Sequence, residues 1–368
     1  MLLDSLIVLN YRNLADVNVS FSPKINCLIG RNGMGKTNLL DAVYYLSFCK
    51  SAISSSDTLN IMHETPFFML QGNYRRDSGL EEEISCALKR GEKKQFRRNK
   101  KNYERFSEHI GSVPLVMVSP ADNELIAGGS DERRRFMDVV ISQYDKEYLT
   151  ALIRYNRALQ QRNSLLRGER EPDSEMMTLI EDMICAEAYV VHEKRSLFVE
   201  ELVPIFQEFH KQITGGNESV TLRYRSDVAE KNLSELLAAS RADDRRLGYT
   251  TKGTHRDELV MQLGGYAIRR EGSQGQNKSF LVALKLAQFD FLRRKGGETP
   301  LLLLDDIFDK LDSRRVEKII ELVASDLFGQ IFITDVNREH IDNILDGVNG
   351  EYKLFEVNAG NVELLKER

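Results

Sequence analysis

Eight consecutive residues near the N-terminus have the types and the spacing of a loop that holds nucleotide phosphates. They are Gly30, Arg31, Asn32, Gly33, Met34, Gly35, Lys36 and Thr37. Glycines at the first and sixth positions let backbone N–H groups approach phosphate oxygens without an intervening Cβ atom. The lysine then offers a cation to the β- and γ-phosphates, and the threonine offers a hydroxyl to Mg²⁺. We therefore predict that these residues, with the following Asn38, bind ATP and Mg²⁺.

The elements around this loop support that interpretation over a chance glycine-rich turn. The residues before it, 25–29, are an apolar strand-like run, and those after it, 38–46, repeat apolar residues at helical spacing. A strand, a loop and a helix in this order are the usual setting of a phosphate-binding loop. Upstream, Tyr11-Arg12-Asn13 joins two strand-like segments. We predict that Arg12 and Asn13 either contact the bound base or only form a turn.

A second acidic site lies near the C-terminus. Four leucines, 301–304, are followed by Asp305 and Asp306. A continuous apolar run of this kind predicts a parallel strand that is buried on both faces and carries its carboxylates at its C-terminal end. Asp305 would hold Mg²⁺ as the Walker B residue, and Asp306 would orient the attacking water with Lys36 as the other catalytic residue.

Three further motifs resemble those of ABC-type ATPases. Ser273, Gln274, Gly275 and Gln276 precede a strong helix and resemble the signature motif, with Gln274 in place of its first glycine. In this class the signature contacts the γ-phosphate held by the other subunit. Lys310-Leu311-Asp312 matches the D-loop, and Thr334 or Asp335 occupies the position of the switch residue after the strand 331–335. The motifs occur in the required order.

Composition limits the other possibilities. Of 368 residues, 42% are hydrophobic and 29% charged, with a formal net charge of −5. This is an ordinary soluble composition. No apolar run approaches the roughly 18 residues that span a bilayer, so we expect a cytoplasmic protein without a membrane partner. The four cysteines lie far apart and are predicted to be reduced packing residues. Any nucleic-acid surface must be local, because the net charge is negative.

Two basic regions are candidates for DNA contact. The residues 89–105 carry the densest positive charge, interleaved with Phe96 and Tyr103, and a charged segment of this kind either contacts DNA or is a solvated strand edge. Further on, 119–215 changes to helical periodicity, with two helices of similar length predicted around a break at 168–173. The DNA-contact candidates are Lys93, Lys94, Arg97, Arg98, Lys100, Lys101, Arg133, Arg134 and Arg135. We also regard Arg154, Arg157 and Arg162 as functional candidates, and predict that 241–246 is exposed.

The chain resembles the RecF family of bacterial recombination mediators over nearly its whole length. The resemblance rests on the phosphate loop and on segments 119–122, 133–136, 161–163, 253–257, 273–276, 283–287 and 305–308. It departs from the family at Asp41, at Thr254 and at Asn277-Lys278. The resemblance implies an α/β fold, namely that of a P-loop NTPase with an ABC-type ATPase head. The head would lack a long coiled coil. Lobe I would comprise 1–118 with 296–368, and a mainly helical lobe II would comprise 119–295.

The resemblance also implies a function in replication and recombinational repair. ATP would close two monomers into a dimer on single-stranded or gapped DNA, and slow hydrolysis would release it. RecR would act as partner, together with RecO, in loading recombinase and in the response to DNA damage. His255, within one family segment, is a further site candidate. The closest alternative is an SMC-like structural head. An ABC transporter subunit and a small-molecule phosphotransferase are more distant, because the switch histidine is missing and a signature motif is present.

Overall fold

The chain folds into two compact units of mixed α/β structure, which confirms the predicted fold class. The computed structural model describes residues 1–169, 172–309, 311–336, 338–346 and 350–368. Unit 1 comprises 1–122, 212–216 and 274–368, and unit 2 comprises 123–211 and 217–273. Each unit is described by itself below.

The strands are distributed over three sheets. In chain order they are β1 (Leu2–Tyr11), β2 (Leu14–Ser20), β3 (Ile25–Ile29), β4 (Phe67–Arg75), β5 (Glu81–Lys89), β6 (Gln95–Arg98), β7 (Lys101–Asn102), β8 (Leu115–Val118), β9 (Val220–Arg225), β10 (Glu258–Leu263), β11 (Tyr266–Ala267), β12 (Leu301–Asp305), β13 (Ile331–Asp335), β14 (Tyr352–Asn358) and β15 (Asn361–Glu367).

The helices range from single turns to a helix of 41 residues. They are α1 (Lys36–Phe48), α2 (Glu124–Ala127), α3 (Ser130–Tyr144), α4 (Lys146–Arg167), α5 (Ser174–Thr214), α6 (Asp227–Glu230), α7 (Leu233–Leu247), α8 (Ile268–Glu271), α9 (Gln274–Lys295), α10 (Ser313–Ala324) and α11 (Arg338–Asp346). Within the described residues, no helix has the length and apolar character needed to cross a membrane.

The sheet that carries the phosphate loop has the order β15-β14-β3-β13-β12-β8. Its five strands from β14 to β8 are parallel, and β15 is an antiparallel edge. Every residue of β3, β12 and β13 is buried, as their continuous apolar runs predict. Since β3, β13 and β12 are neighbours, the residues that follow or end these strands meet at one edge of the sheet.

A second, antiparallel sheet with the order β2-β1-β4-β5-β6-β7 completes the strand structure of unit 1. Buried and exposed residues alternate along β4 and β5, so one face of this sheet is packed and the other is solvated. Asn99 and Lys100 join β6 to β7 with φ of 49° and 67°. Positive φ at both positions fits the two-residue turns that match the twist of a hairpin. The basic segment therefore lies at a sheet edge.

Helices α4 and α5 of unit 2 form the predicted antiparallel hairpin. Ion pairs join Lys194 to Asp145 and Glu147, and Arg162 to Glu181. From Asp145 to Arg162 the residue number rises along α4, while the number of the α5 partner falls from 194 to 181. The two helices therefore run in opposite directions. The predicted equal length is wrong, since α4 has 22 residues and α5 has 41. Of the predicted break, residues 170 and 171 lie outside the described residues.

A fully buried arginine fixes this hairpin to α7. Arg162 donates to Glu181 Oε1 at 2.9 Å and to Asp244 Oδ2 at 2.7 Å, and all three side chains are almost entirely buried. Asn163 accepts from the backbone N–H of Thr250 at 2.8 Å. Arg162 is therefore structural, which corrects its assignment as a functional candidate. The prediction that 241–246 is exposed is wrong at Asp244, because a carboxylate is needed to neutralise the buried guanidinium.

The observed units differ from the predicted lobes at the C-terminal end of lobe II, which was predicted at residue 295. The sequence placed 119–295 in lobe II, whereas α9 is part of unit 1. Its Lys285 donates to the carbonyl oxygen of Met117 at 3.0 Å and pairs with Asp122 at 2.6 Å. Almost the whole of α9 from Lys278 to Leu292 is buried. A helix buried to this degree belongs with the sheet that it covers.

We expect Arg162→Met to destabilise the protein by about 3–5 kcal/mol, because it leaves the Glu181 and Asp244 carboxylates buried without their shared cation. Arg157→Met, an exposed position of the same helix, is the matched control and should change stability by less than about 0.5 kcal/mol. Urea unfolding followed by far-UV circular dichroism measures both. Equal midpoints for the two variants would contradict the structural role of Arg162.

Candidate nucleotide-binding site

The phosphate loop connects the buried end of β3 to the first turn of α1. Gly30 has φ of 154°, and a Cβ atom there would lie 2.3 Å from the carbonyl oxygen of Val357. Gly35 has φ of 118°, and its Cβ atom would come within 3.0 Å of the Asn13 side chain. Both positions therefore require glycine. Because α1 begins at Lys36, the partial positive charge of its N-terminus faces the loop, which favours an anion there.

Lys36 lies inside the curve of this loop. Its Nζ donates to the carbonyl oxygens of Gly30 at 2.6 Å and of Arg31 at 3.1 Å. Burial lowers the pKa of Lys36, while the nearby carboxylates of Asp306 and Asp305 act in the opposite direction. A partly desolvated ammonium on neutral carbonyl groups is well placed to exchange them for phosphate oxygens.

A hydrogen-bonded cluster joins the ends of the three central strands. Thr37 Oγ1 donates to Asp305 Oδ1 at 3.0 Å, and Thr334 Oγ1 donates to the same oxygen at 2.7 Å. The Asp306 backbone N–H donates to Thr334 Oγ1 at 3.1 Å. Burial raises the pKa of Asp305, and the two hydroxyl donors oppose that shift. The cluster brings together the predicted Mg²⁺ ligands Thr37 and Asp305.

The donor set of this cluster suits Mg²⁺. It offers one hydroxyl and one carboxylate, which are hard oxygen ligands, and Mg²⁺ is commonly held by one or two protein groups together with substrate phosphates. Within the described residues there is no group of three or more His, Cys, Asp or Glu side chains that could form a complete protein cage. The two Mg²⁺ assignments remain predictions.

Both candidates for the switch position lie near the phosphate loop at the end of β13, and Asp335 acts electrostatically on Lys36. Thr334 is fully buried at the end of β13 and contacts both acids of the site through its hydroxyl. Asp335, the next residue, is also buried. The choice between Thr334 and Asp335 as the switch residue stays a prediction. Asp306 has φ of 50°, a left-handed conformation that turns the chain away directly after β12.

The Tyr11–Asn13 turn supports the phosphate loop from outside. Asn13 Nδ2 donates to the carbonyl oxygen of Gly33 at 3.2 Å, and Asn13 Oδ1 accepts from Asn38 at 2.7 Å. Asp41 is buried in α1 and accepts from the Tyr11 hydroxyl at 2.6 Å. Arg12 lies 3.4 Å from the same carboxylate. These contacts fix the turn and the loop to α1, and base contact by Arg12 and Asn13 stays a prediction.

The signature and D-loop residues lie at two helix starts of the chain. Ser273 immediately precedes α9, Ser273 and Gln274 are exposed, and Gly275 and Gln276 are half-buried. Asp312 caps α10 by accepting from the Arg315 backbone N–H at 2.9 Å, and its side chain is exposed. Lys310 lies outside the described residues.

A hydrogen bond links these two helices within unit 1. Arg315 Nη1 donates to Ser279 Oγ at 2.9 Å, and Ser279 Oγ donates to the carbonyl oxygen of Gly275 at 2.9 Å. The start of the signature helix and the residues after the D-loop are therefore held together. Their exposed side chains are accessible to a second molecule.

The basic segment 89–105, which includes β6 and β7 at the sheet edge, contains both exposed residues and residues paired within unit 1. Lys93, Arg97, Lys100 and Lys101 are exposed. Lys94 instead pairs with Asp57 at 2.6 Å and donates to the carbonyl oxygen of Cys49 at 2.7 Å. Arg98 binds the buried carboxylate of Glu82. The charges of Lys94 and Arg98 are thus paired within unit 1, and their contact with DNA stays a prediction.

The aromatic residue at the centre of this edge is also structural. Phe96 is buried and packs on the ring of His109 at a centroid distance of 4.7 Å. The Phe96 ring is therefore not available to stack on nucleic-acid bases, because it lies on the packed face of the sheet.

Two of the three consecutive arginines in α3 are likewise engaged within unit 2. Arg133 makes two hydrogen bonds to the Glu258 carboxylate, at 2.6 and 3.0 Å. Arg134 is buried, donates to the carbonyl oxygen of Asp257 at 2.7 Å and pairs with Asp131. Arg133 and Arg134 thus join α3 to the start of β10 and the residue before it, and their contact with DNA stays a prediction. Arg135 is exposed and remains a candidate.

His255, the remaining site candidate, lies in the interior of unit 2. Its Nδ1 is 2.6 Å from the Tyr155 hydroxyl and its Nε2 is 2.9 Å from the carbonyl oxygen of Thr250. Burial lowers the pKa of His255 to about 4, so the ring is neutral at physiological pH. His255 is a packing residue, which corrects its assignment as a site.

Sequence reasoning missed another basic surface in unit 2. Arg225, Arg269 and Arg270 are exposed at the rim of a cavity of about 490 Å³ whose floor includes Leu259 and Met261. None of the three arginines forms an ion pair with a described residue. The adjacent arginines at 269 and 270, just before the signature, were the signal that could have indicated this surface.

The chain matches one protein-family model over nearly its full length. The model is the RecF/RecN/SMC N terminal domain, and it covers residues 2–360. The chain is 61% identical to the DNA replication and repair protein RecF of Phocaeicola vulgatus, over 100% of this chain and 99% of the relative. It is 56% identical to the protein of the same name in Parabacteroides distasonis, with 100% of both chains covered.

Solved structures give the same result. A structure of the recombination mediator protein RecF in the RecFOR pathway, with ATP, superposes with a TM-score of 0.89 at 28% identity, covering 99% of this chain and 98% of the other. The Smc head domain of Pyrococcus furiosus, at 16% identity and a TM-score of 0.59 over 100% of this chain and 96% of the other, shares the fold. The chain therefore belongs to the RecF family of ABC-type ATPases.

Proposed function

We propose that this chain is an ATP-gated DNA-binding ATPase of replication and recombinational repair that acts as a dimer and hydrolyses ATP slowly. The observation that carries the proposal is the cluster in which Asp305 joins Thr37 to Thr334 directly below the phosphate loop. Support comes from relatives named for DNA replication and repair, and from related RecF structures described with ATP.

Within one subunit, the loop and its acids bind the nucleotide. Lys36 exchanges the carbonyl groups of Gly30 and Arg31 for β- and γ-phosphate oxygens, and the backbone N–H groups of the loop enclose the phosphates. Mg²⁺, when bound by Thr37 and Asp305, neutralises charge on the phosphate oxygens. Asp306 then accepts a hydrogen bond from the attacking water and orients it toward the γ-phosphate. Thr334 fixes the position of both acids.

The second subunit completes the site. Ser273, Gln274, Gly275 and Gln276 at the start of α9 present a hydroxyl and helix N–H groups to the γ-phosphate of the other subunit. Asp312, exposed at the start of α10, lies in the same interface. Because the nucleotide is bound from both sides, it holds the dimer together, and hydrolysis releases it. The shorter side chain of aspartate at 306, compared with glutamate, positions water less well and slows turnover.

DNA binds through exposed cations rather than through the internal ones. In unit 1 these are Lys93, Arg97, Lys100 and Lys101, and in unit 2 they are Arg135, Arg225, Arg269 and Arg270. Contacts of this kind are made mainly to phosphates, so they set affinity more than sequence preference. The partners we propose are RecR and RecO, which would act with the ATP-bound dimer at gapped DNA.

We expect Mg·ATP to double the molar mass of the wild type and gapped duplex DNA to strengthen this effect. Lys36→Arg should remain monomeric, because a guanidinium is too large for the inside of the loop. Lys353→Arg, a conservative change on β14, is the control and should dimerise like the wild type. Light scattering after size-exclusion chromatography measures the mass. A monomer under every condition would contradict the dimer and favour a single-subunit phosphotransferase.

Asp306→Asn should bind ATP but hydrolyse it at least tenfold more slowly, because an amide orients the water poorly and cannot accept its proton. The dimer on DNA should then persist, and its dissociation after dilution into ATP-free buffer can be followed by fluorescence anisotropy of labelled DNA. Lys318→Arg on the exposed face of α10 is the control. Dissociation of the Asn variant at the wild-type rate would show that hydrolysis does not time release.

Replacement of Lys93, Lys100 and Lys101 by alanine should weaken DNA binding and reduce the slope of log K against log salt by about 2, since each lost phosphate contact removes roughly 0.7–0.9 from the slope. A protein with Lys211, Lys318 and Lys353 replaced by alanine, which also loses three positive charges, is the charge-matched control and should keep the wild-type slope. Anisotropy titrations between about 50 and 200 mM salt give both slopes. An unchanged slope in the first variant would exclude the sheet edge as a DNA surface.

A further inference from the structure

Helix α5 carries a second apolar face that the core of unit 2 leaves uncovered. Its first face, with Met177, Ile180, Ile184, Ala188 and Val191, is buried, as expected for a core helix. On another face, residues 176, 179, 183, 186, 190, 193 and 197 follow each other at alternating spacings of three and four. This is the a and d pattern of a heptad repeat, here called the outer seam.

The outer seam extends over three heptads, is apolar at every position except Glu193, and is exposed at every position except the half-buried Val190. Its members are Met176, Leu179, Met183, Ala186, Val190, Glu193 and Leu197. Leu179 is 63% exposed, Met176 52% and Met183 48%. Tyr189, on the flank of the seam, is 44% exposed. Scattered apolar residues on a surface need no explanation, but apolar residues at six of seven consecutive heptad positions mark a helix-binding surface.

The charge along the seam decides what kind of molecule fits it. Glu175, Asp182, Glu193 and Glu200 lie within or beside the stripe, and none of them forms an ion pair with a described residue. The neighbouring cations are already paired: Lys194 with Asp145 at 2.8 Å and Glu147 at 2.9 Å, Arg241 with Glu181, and Arg154 with Glu187 at 3.5 Å. Arg195 is buried and pairs with Asp257 and Asp138. The exposed flank of the outer seam is therefore acidic.

This combination excludes three occupants on electrostatic grounds. DNA and anionic lipid surfaces carry negative charge and are repelled by the acidic flank. A second copy of the seam would bring like charges together, which opposes pairing of a coiled coil at its flanking positions. A helix with an apolar stripe and flanking lysines or arginines matches both the apolar spacing and the charge.

We propose that the outer seam of α5 is a docking site for a basic amphipathic helix of a partner protein. The apolar positions of that helix pack between Met176, Leu179, Met183 and Leu197, and its cations pair with the acids of the flank. The inference is independent of the nucleotide site and of the function proposed above. It assigns α5 two roles, with one face for the core of unit 2 and another for recognition.

The test uses the full-length protein and two fluorescein-labelled synthetic peptides of 24 residues, designed with leucine at a and d and alanine or glutamine at b, c and f. One carries lysine at e and g and the other glutamate. Anisotropy should show the lysine peptide binding at least tenfold more tightly than the glutamate peptide. The double variant Leu179→Ser, Met183→Ser should weaken lysine-peptide binding at least tenfold. Ile153→Ser, an equally exposed apolar residue of α4, is the matched control and should leave it unchanged.

A charge reversal gives a second, positive readout. Asp182→Lys with Glu193→Lys should reverse the preference, so that the glutamate peptide binds more tightly. Equal binding of both peptides, or wild-type affinity in the Leu179→Ser, Met183→Ser variant, would overturn the proposal. So would a nucleotide-independent dimer of the wild type that this variant dissociates, because the occupant would then be a second copy of the chain. Thermal unfolding of each variant at the wild-type temperature confirms that the fold is intact.

Discussion

The hydrogen bonds from Thr37 and Thr334 to one oxygen of Asp305 are the constraint on which the rest of unit 1 depends. They form only if β3, β13 and β12 are adjacent, parallel and in the register in which the three residues reach the same edge of the sheet. That register requires strands buried on both faces, and hence the covering helices α1 and α9. The large buried sheet and its helices thus serve to hold a few polar atoms within about 3 Å of each other.

Local sequence was sufficient to predict the parts of the site that depend on the backbone. The phosphate loop, the strand before it and the helix after it are determined by glycine placement and apolar periodicity, both visible in one segment. The choice between Thr334 and Asp335 was not, because they are adjacent polar residues at the end of the same buried strand. The internal partners of Lys94, Arg133, Arg134 and Arg162 were not predictable for a related reason. A basic side chain has the same sequence signal whether its carboxylate partner is 80 residues away or absent.

Several segments that carry the family resemblance are structural rather than chemical. Arg162 binds Asp244 of α7, and Asn163 binds the backbone of Thr250 in the loop after α7. Asp257 pairs with Arg195 at 2.7 Å in the interior of unit 2. Buried ion pairs of this kind cost desolvation energy and are replaceable in principle by apolar residues. Their geometry, however, permits one alignment of α4, α5 and α7. The motifs therefore determine which helix faces pack against the core. The remaining faces are exposed and can bind other molecules.

The net charge of −5 does not describe how positive and negative side chains are distributed over the surface. That distribution determines which molecules each surface attracts. Exposed cations are concentrated on the β6–β7 edge of unit 1 and around the cavity at β10 in unit 2, whereas the outer seam of α5 is acidic. Since exposed charges act over roughly 10 Å at moderate salt, each surface attracts its own class of molecule with little interference from the average charge. If the proposed DNA and helix surfaces are both used, the acidic seam keeps DNA from occupying the apolar stripe. Net charge alone argues against a DNA surface, whereas the pairing of each arginine and lysine with its neighbours separates the cations that are engaged internally from those that are exposed.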